Sequence, residues 1–176
     1  MLPAIKQSGW RWVREIGIAV VLALIIILFA YQPVKVEGGS MLPALQDSER
    51  LFINKFIYRS GIERVERGDM IVFEVPTARN QCYIKRVIAL PGDIVELRSG
   101  AVWLNGVQIA EPFIPAEYRD NWTMTPLRVP DAQYFVLGDH RCASNDSRIL
   151  GPIPRQAIYG KAVFAYWPLN RLGTLR

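Results

Sequence analysis

The stretch AVWLNGVQI, residues 101–109, reads as a β-hairpin. Apolar and polar positions alternate on both sides of Asn105-Gly106, and that dipeptide supplies the two positive φ angles of a type I′ turn. Outward from it, Ser99-Gly100 and Pro91-Gly92-Asp93 mark neighbouring turns, so the chain folds back on itself at short intervals. After Val34 no long stripe of 3.6-residue period appears, and short alternating segments predict a mostly β domain. Further strands are expected at residues 70–75, 83–90, 94–98, 134–137 and 160–166. Residues 110–130, interrupted by Pro112, Pro115, Pro126 and Pro130, are expected to be irregular.

The N-terminal region has a different character. From Ile16 to Ala30 the run IGIAVVLALIIILFA carries no charge, and Tyr31-Gln32-Pro33-Val34 prolongs it to the length a bilayer requires, about 20 helical residues. Trp10, Trp12 and Tyr31 suit the two interfaces, and Lys6, Arg11 and Arg14 before the run predict a cytoplasmic N-terminus. The alternative is a cleavable signal peptide, against which stand the length of the run and the bulky residues after it. The expected division is a cytoplasmic tail at 1–15, a transmembrane anchor at 16–34 and an extracytoplasmic domain at 35–176, a size that suits one folded domain. The formal charge of +5 fits an anionic membrane surface or nucleic acid. Arg50, Lys55, Arg59, Arg64, Arg67 and Arg86 form no clustered stripe, which disfavours nucleic acid.

Three segments carry groups capable of chemistry. Gly38-Gly39-Ser40-Met41-Leu42-Pro43 presents a hydroxyl on a loop that lets a substrate approach the backbone, although Gly-Gly-Ser is also a common linker. In Cys82-Tyr83-Ile84-Lys85-Arg86-Val87-Ile88-Ala89-Leu90, strand alternation places Lys85 on one face with Tyr83, Val87 and Ala89. Burial there would disfavour the ammonium and make the amine a usable base, whereas a solvated edge would leave an ordinary lysine. The segment from Gly138 to Arg148, GDHRCASNDSR, reads either as an ordered polar network or as a solvated turn. His140 is the single histidine. A triad with Ser40 and Asp139 is disfavoured because adjacent residues diverge, while a distant aspartate stays open as its partner. Cys82 and Cys142 either pair, as export would permit, or are small buried free side chains.

Taken in order behind one N-terminal anchor, these segments resemble bacterial type I signal peptidases, serine proteases of the S26 type. Gly39-Ser40-Met41-x-Pro43 resembles the nucleophile motif. Tyr83-Ile84-Lys85-Arg86 with Leu90-Pro91-Gly92-Asp93 resembles the general-base motif, and Gly138-Asp139-x-Arg141-x-x-Ser144-x-Asp146-Ser147-Arg148 the third. The resemblance implies a signal-peptidase-like β-barrel or sandwich catalytic domain, with the substrate adding beside a strand. It implies Ser40 as nucleophile, neutral Lys85 as base, an acyl-enzyme intermediate, and Ser144 as the lysine-orienting hydroxyl. Arg86, Asp139, Asp146 and Arg148 would hold the site together as ion pairs. The Ser40 backbone N–H would bind the oxyanion, with Gly38 at the position where some members carry a side-chain donor. His140 stands where asparagine is more usual.

The implied partners are preprotein signal peptides and the lipid bilayer of the plasma (inner) membrane, with no nucleic acid, no cofactor and no metal. Met41, Leu42, Phe113, Ile114 and Trp122 are candidates for lipid contact or for ordinary core packing. Two other classes compete. A tethered β binding protein without chemistry would make Ser40 part of a linker. A self-cleaving regulator with the same dyad would need a DNA-binding domain, for which the residues before the anchor are too few.

Overall fold

Pro33 lacks a backbone N–H and disfavours helical geometry in the residue before it, which sets a limit to any helix entering from the N-terminal side. The structure, a computed structural model, describes residues 4–55, 64–75 and 81–175, without the side chains at 4–8, 23 and 25–28. Its N-terminal helix α1 runs Ala4–Ala30, and β1 follows at once at Tyr31–Lys35. Helix thus begins inside the presumed tail of 1–15, and residues 31–34 of the expected span 16–34 are strand. Among the described residues no helix is long and apolar enough to cross a membrane. The expected anchor draws in part on positions 23 and 25–28, whose side chains lie outside the described residues, as does Arg59. The described large apolar side chains of α1 are exposed, including Trp10 at 75% and Phe29 at 80%.

Beyond β1 come β2 (Arg50–Asn54), β3 (Met70–Glu74), β4 (Cys82–Ala89), β5 (Ile94–Arg98), β6 (Ala101–Leu104) and β7 (Val107–Gln108). Then follow β8 (Met124–Arg128), β9 (Gln133–Leu137), the one-turn helix α2 (Ser147–Leu150), β10 (Ile153–Pro154), β11 (Ile158–Trp167) and β12 (Gly173–Thr174). Among the described residues the strands form two sheets. One runs in the order β1-β2-β11-β3-β4-β9-β10 with β12 against β11, and the other β7-β6-β5-β8. The mostly β expectation therefore holds, and the hairpin turns where Asn105 and Gly106 take φ of 52° and 83°.

Two elements depart from the sequence expectation for one physical reason. Pro33 lies in β1 and Pro126 in β8, and a strand proline is tolerated where one side of the strand needs no ladder donor. Both strands sit at the edge of their sheets. Residues 110–130 are consequently not irregular throughout: β8 pairs antiparallel with β5, Ile94 opposite Arg128 and Val95 opposite Leu127.

The sheets meet through one apolar cluster, in which Ile88, Ala89, Phe135 and Leu137 of the larger sheet pack with Val95, Leu97, Val102 and Leu104 of the smaller. A second cluster, Ile71, Phe73, Val87, Val136 and Ile158, covers part of the larger sheet. Burying a side chain of this kind contributes about 1.5–3 kcal/mol. The β4–β9 register shifts between Val87 and Ala89. This bulge explains why Ala89, expected on the face of Val87, packs instead with Ile88.

Strands β2 and β11 approach closely at Gly160, where an added Cβ would lie 2.6 Å from the Asn54 carbonyl oxygen and 2.6 Å from Ile53 Cγ2. Neither neighbour is the end of a flexible chain. Gly160→Ala is expected to lower stability by about 1–3 kcal/mol through overpacking, measured by urea unfolding of the detergent-solubilised chain. An unchanged midpoint would show that β2 and β11 separate without cost.

Candidate active site

The loop bearing Ser40 is closed by its own backbone. Val36 N–H donates to Glu49 O at 2.8 Å and Ser48 N–H to Val36 O at 2.9 Å. Met41 and Leu45 are buried with Val36, Leu51, Met70, Ala162 and Ala165, so two apolar side chains fasten the loop to the larger sheet. Gly38 takes φ of 87°, a conformation that side-chain-bearing residues rarely adopt, and its N–H donates to Asp47 Oδ1 at 2.7 Å. That bond is the main reason the Asp47 carboxyl titrates below its ordinary range. From the other end of the chain, Arg171 Nη2 donates to Ala44 O at 2.7 Å, and its Nε lies 3.3 Å from the buried Glu49.

Lys85 occupies β4 opposite Ile71 of β3 and is 3% exposed. Its Nζ lies 2.7 Å from Ser40 Oγ and donates to the Ile84 carbonyl at 3.0 Å. The Tyr83 ring centroid is 5.0 Å from Nζ. Burial lowers the lysine pKa from 10.5 to about 8, opposed by the weaker attraction of Asp146 and Asp139. A neutral amine has one lone pair. With one N–H engaged by Ile84, that lone pair can face the serine hydroxyl.

The third segment packs directly against the first. A Cβ on Gly138 would lie 2.2 Å from Ser144 Oγ and 2.5 Å from Ser40 O, so glycine is required by close approach. Asp139 takes two bonds from Arg86, at 2.9 and 2.6 Å, and both side chains are buried. Asp146 accepts from Arg148 Nε and Nη2 at 2.8 Å each and from Gly138 N–H at 3.0 Å. Arg148 also pairs with Asp120. All four expected supporting residues thus lie in ion pairs around the lysine. Removing one partner of such a pair typically costs about 3–5 kcal/mol, because the other charge is left buried.

Ser144 reaches the same place without the bond expected of it. Its Oγ is buried and has no hydrogen-bond partner among the described residues. The tight contact with Gly138 explains its position, while the lysine amine is engaged by Ser40 and Ile84. His140 does not complete a triad: its Nδ1 lies 3.1 Å from the Gly39 carbonyl oxygen, and its ring meets Tyr118 edge-on. Cys82 and Cys142 are unpaired, as the second alternative read from the sequence has it, but exposed rather than buried. The Cys82 thiol is pushed up by burial and by Glu74, a poor setting for a thiolate nucleophile. Met41 and Ile114 are core residues, whereas Phe113 and Trp122 are exposed.

Sequence reasoning missed Glu111, buried and bonded to Arg141 Nη1 at 3.0 Å. Its place among prolines in an apparently irregular stretch offered no periodicity to read. The site opens into a groove of about 400 Å³ lined by residues 35–41, by Cys82, Tyr83, Ile84 and Lys85, and by Ala143 and Asn145.

A buried lysine makes stability depend on pH. Between pH 8 and 10.5 the unfolded chain holds a proton that folded Lys85 has released, so stability rises with pH across that window and is flat below it with respect to this group. Denaturation midpoints measured from pH 7 to 10.5 should show a gain of roughly 3 kcal/mol that Lys85→Met lacks. A gain of equal size in the variant would assign it to other groups.

The model of the family described as signal peptidase, peptidase S26, matches residues 9–167. A signal peptidase I of Bacillus amyloliquefaciens is 40% identical over 174 residues, covering 94% of this chain and 89% of its own length. A probable signal peptidase I-1 of a Synechocystis strain is 39% identical over 181 residues, covering 96% and 89%. The crystal structure of a signal peptidase I from Enterococcus faecalis is similar with a TM-score of 0.50 at 32% identity, over 56% of this chain and 97% of that one. The chain therefore belongs to the signal peptidase family of serine endopeptidases, peptidase S26.

Proposed function

We propose that this peptidase removes N-terminal signal peptides from exported preproteins after small residues, with Ser40 as nucleophile and Lys85 as general base. The observation that carries the reading is the 2.7 Å approach of a buried, pKa-lowered Lys85 amine to the Ser40 hydroxyl. Neutral Lys85 takes the hydroxyl proton as Ser40 Oγ bonds to the carbonyl carbon of the junction. The oxyanion is met by the Ser40 backbone N–H, with Gly38 offering no side chain to assist. Collapse breaks the C–N bond, the Lys85 ammonium protonates the departing amine, and the signal peptide stays esterified to Ser40. Water then gives a proton to Lys85 and attacks the ester. The proton returns to Ser40 as the peptide carboxylate leaves. Ser144, whose buried hydroxyl is unpartnered, would accept a hydrogen bond from the lysine and orient it.

The preprotein is proposed to lie extended along β4. Strand β9 pairs with β4 only from Arg86 onward, so the part of β4 from Cys82 to Lys85 has β3 on one side and the groove on the other. Main-chain bonds to such an edge accept many sequences and read alternate side chains only. Helix α1 is proposed as a single-pass anchor in the plasma membrane with its N-terminus cytoplasmic. The uncharged sequence of 16–30, the basic residues before it and the exposure of Ile16, Ile18, Val20, Val21, Leu22 and Leu24 support that placement.

The test is cleavage of a preprotein bearing a small-x-small junction by the purified full chain in detergent. Ser40→Ala and Lys85→Ala should each abolish cleavage while remaining folded. For the wild type, kcat/KM should climb with pH through about 8, because only the neutral amine accepts the proton. Activity surviving in Lys85→Ala, or an acid limb that disappears in His140→Asn, would remove lysine from the role of base.

A further inference from the structure

The reading above leaves the oxyanion to one backbone N–H, and that N–H belongs to a loop with glycine at positions 38 and 39. Within the loop the Gly39 carbonyl accepts one hydrogen bond, from Leu42 N–H at 3.1 Å, which leaves its second lone pair open. The structure adds a second constraint from outside the loop. His140 Nδ1 lies 3.1 Å from the Gly39 carbonyl oxygen, and the His140 backbone N–H donates to the Ser40 carbonyl at 3.1 Å. One residue therefore engages the carbonyls of both peptide units that flank Ser40.

The first of these contacts bears on the chemistry. The peptide joining Gly39 to Ser40 is not among the cis bonds, so its C=O and N–H point in opposite directions in one plane. Fixing the Gly39 oxygen fixes the direction of the Ser40 N–H. A hydrogen bond accepted at the carbonyl also polarises the amide and strengthens its N–H as a donor. The imidazole is itself held, its ring 4.8 Å from Tyr118 at 86°. Its neighbours in the chain are anchored as well, Asp139 by Arg86 and Arg141 by Glu111.

We propose that His140 is a positioning residue for the oxyanion donor: with its Nδ1 protonated it holds the Gly39 carbonyl and so aims the Ser40 N–H at the substrate oxygen. It moves no proton. The proposal rests on the peptidase reading, and it makes the histidine replaceable by any side chain that presents an N–H at the same point. Asparagine does so, since its Nδ2 stands as many bonds from Cβ as Nδ1 of histidine; aspartate has the same shape and no donor.

The experiment compares wild type, His140→Asn, His140→Asp and His140→Ala as full chains in detergent. It measures kcat and KM on the same preprotein, the pH profile, and the carbonyl carbon resonance of selectively labelled Gly39. His140→Asn is expected to keep kcat within about threefold. Ala and Asp are expected to lower kcat by about 10–100-fold with KM nearly unchanged, since losing an oxyanion donor outright costs about 10²–10³. The acid limb at about pH 8 should stay where Lys85 puts it. The Gly39 resonance should move upfield in Ala and Asp, and not in Asn. Wild-type kcat in Ala, a loss confined to KM, or Asn as impaired as Ala would each overturn the clamp. If Ala does not fold, the Asn and Asp pair decides. The resonance shifts as expected while wild type cuts no preprotein would uphold the clamp and sink the peptidase reading instead.

Discussion

An amine held out of water against a hydroxyl is the condition on which the rest of this structure depends. Lys85 is buried, and desolvation is the largest influence on its pKa. A charged ammonium in that place is costly, so the fold shifts Lys85 toward the neutral form that the proposed role of base requires. Several other features of the site hold the two ends of this contact together. Met41 and Leu45 fix the serine loop, β3 and β4 fix the lysine, and the close packing of Gly138 against Ser40 and Ser144 leaves no room between loop and network.

Much of this was legible along the chain. The hairpin at Asn105-Gly106 announced itself because its turn depends on local backbone preference alone. Strand alternation placed Lys85 with Tyr83 and Val87 but left open whether that face was buried, and only the resemblance of its motif pointed to a base. The alternation failed at Ala89, where a bulge inserts itself, and bulges carry no clear local signal. Ser40 itself was ambiguous until its position could be compared with that of Lys85, because a hydroxyl on a Gly-Gly-Ser loop looks the same in a linker.

What escaped the sequence was decided by neighbours distant in the chain. Strand β1 follows an apolar run and contains Pro33, and only its pairing with β2, Lys35 opposite Arg50, reveals it as strand. Strand β8 hides among prolines for the same reason, since an edge position is a property of the sheet. Glu111 shows the limit most plainly. Nothing within 30 residues identifies its partner as Arg141, yet this buried pair braces the segment that carries His140 and Ser144.

The carboxylates near Lys85 raise a question of design, because an acid beside a lysine stabilises the ammonium and opposes the role of base proposed for it. The structure resolves this by pairing. Asp139 faces Arg86 and Asp146 faces Arg148, each through two bonds, so their negative charge is largely answered before it reaches the amine. What remains raises the lysine pKa only partway against desolvation, and the balance lies at about 8. A purely apolar surround would depress the pKa further, leaving a weaker base and a conjugate ammonium too acidic to persist through the reaction. Unpaired carboxylates would return it toward 10.5 and leave little neutral amine near pH 7. Buried ion pairs of this kind seldom add much stability over apolar packing. Their contribution here is electrostatic: they set how much charge the lysine feels while holding the segment around Ser144 in one place.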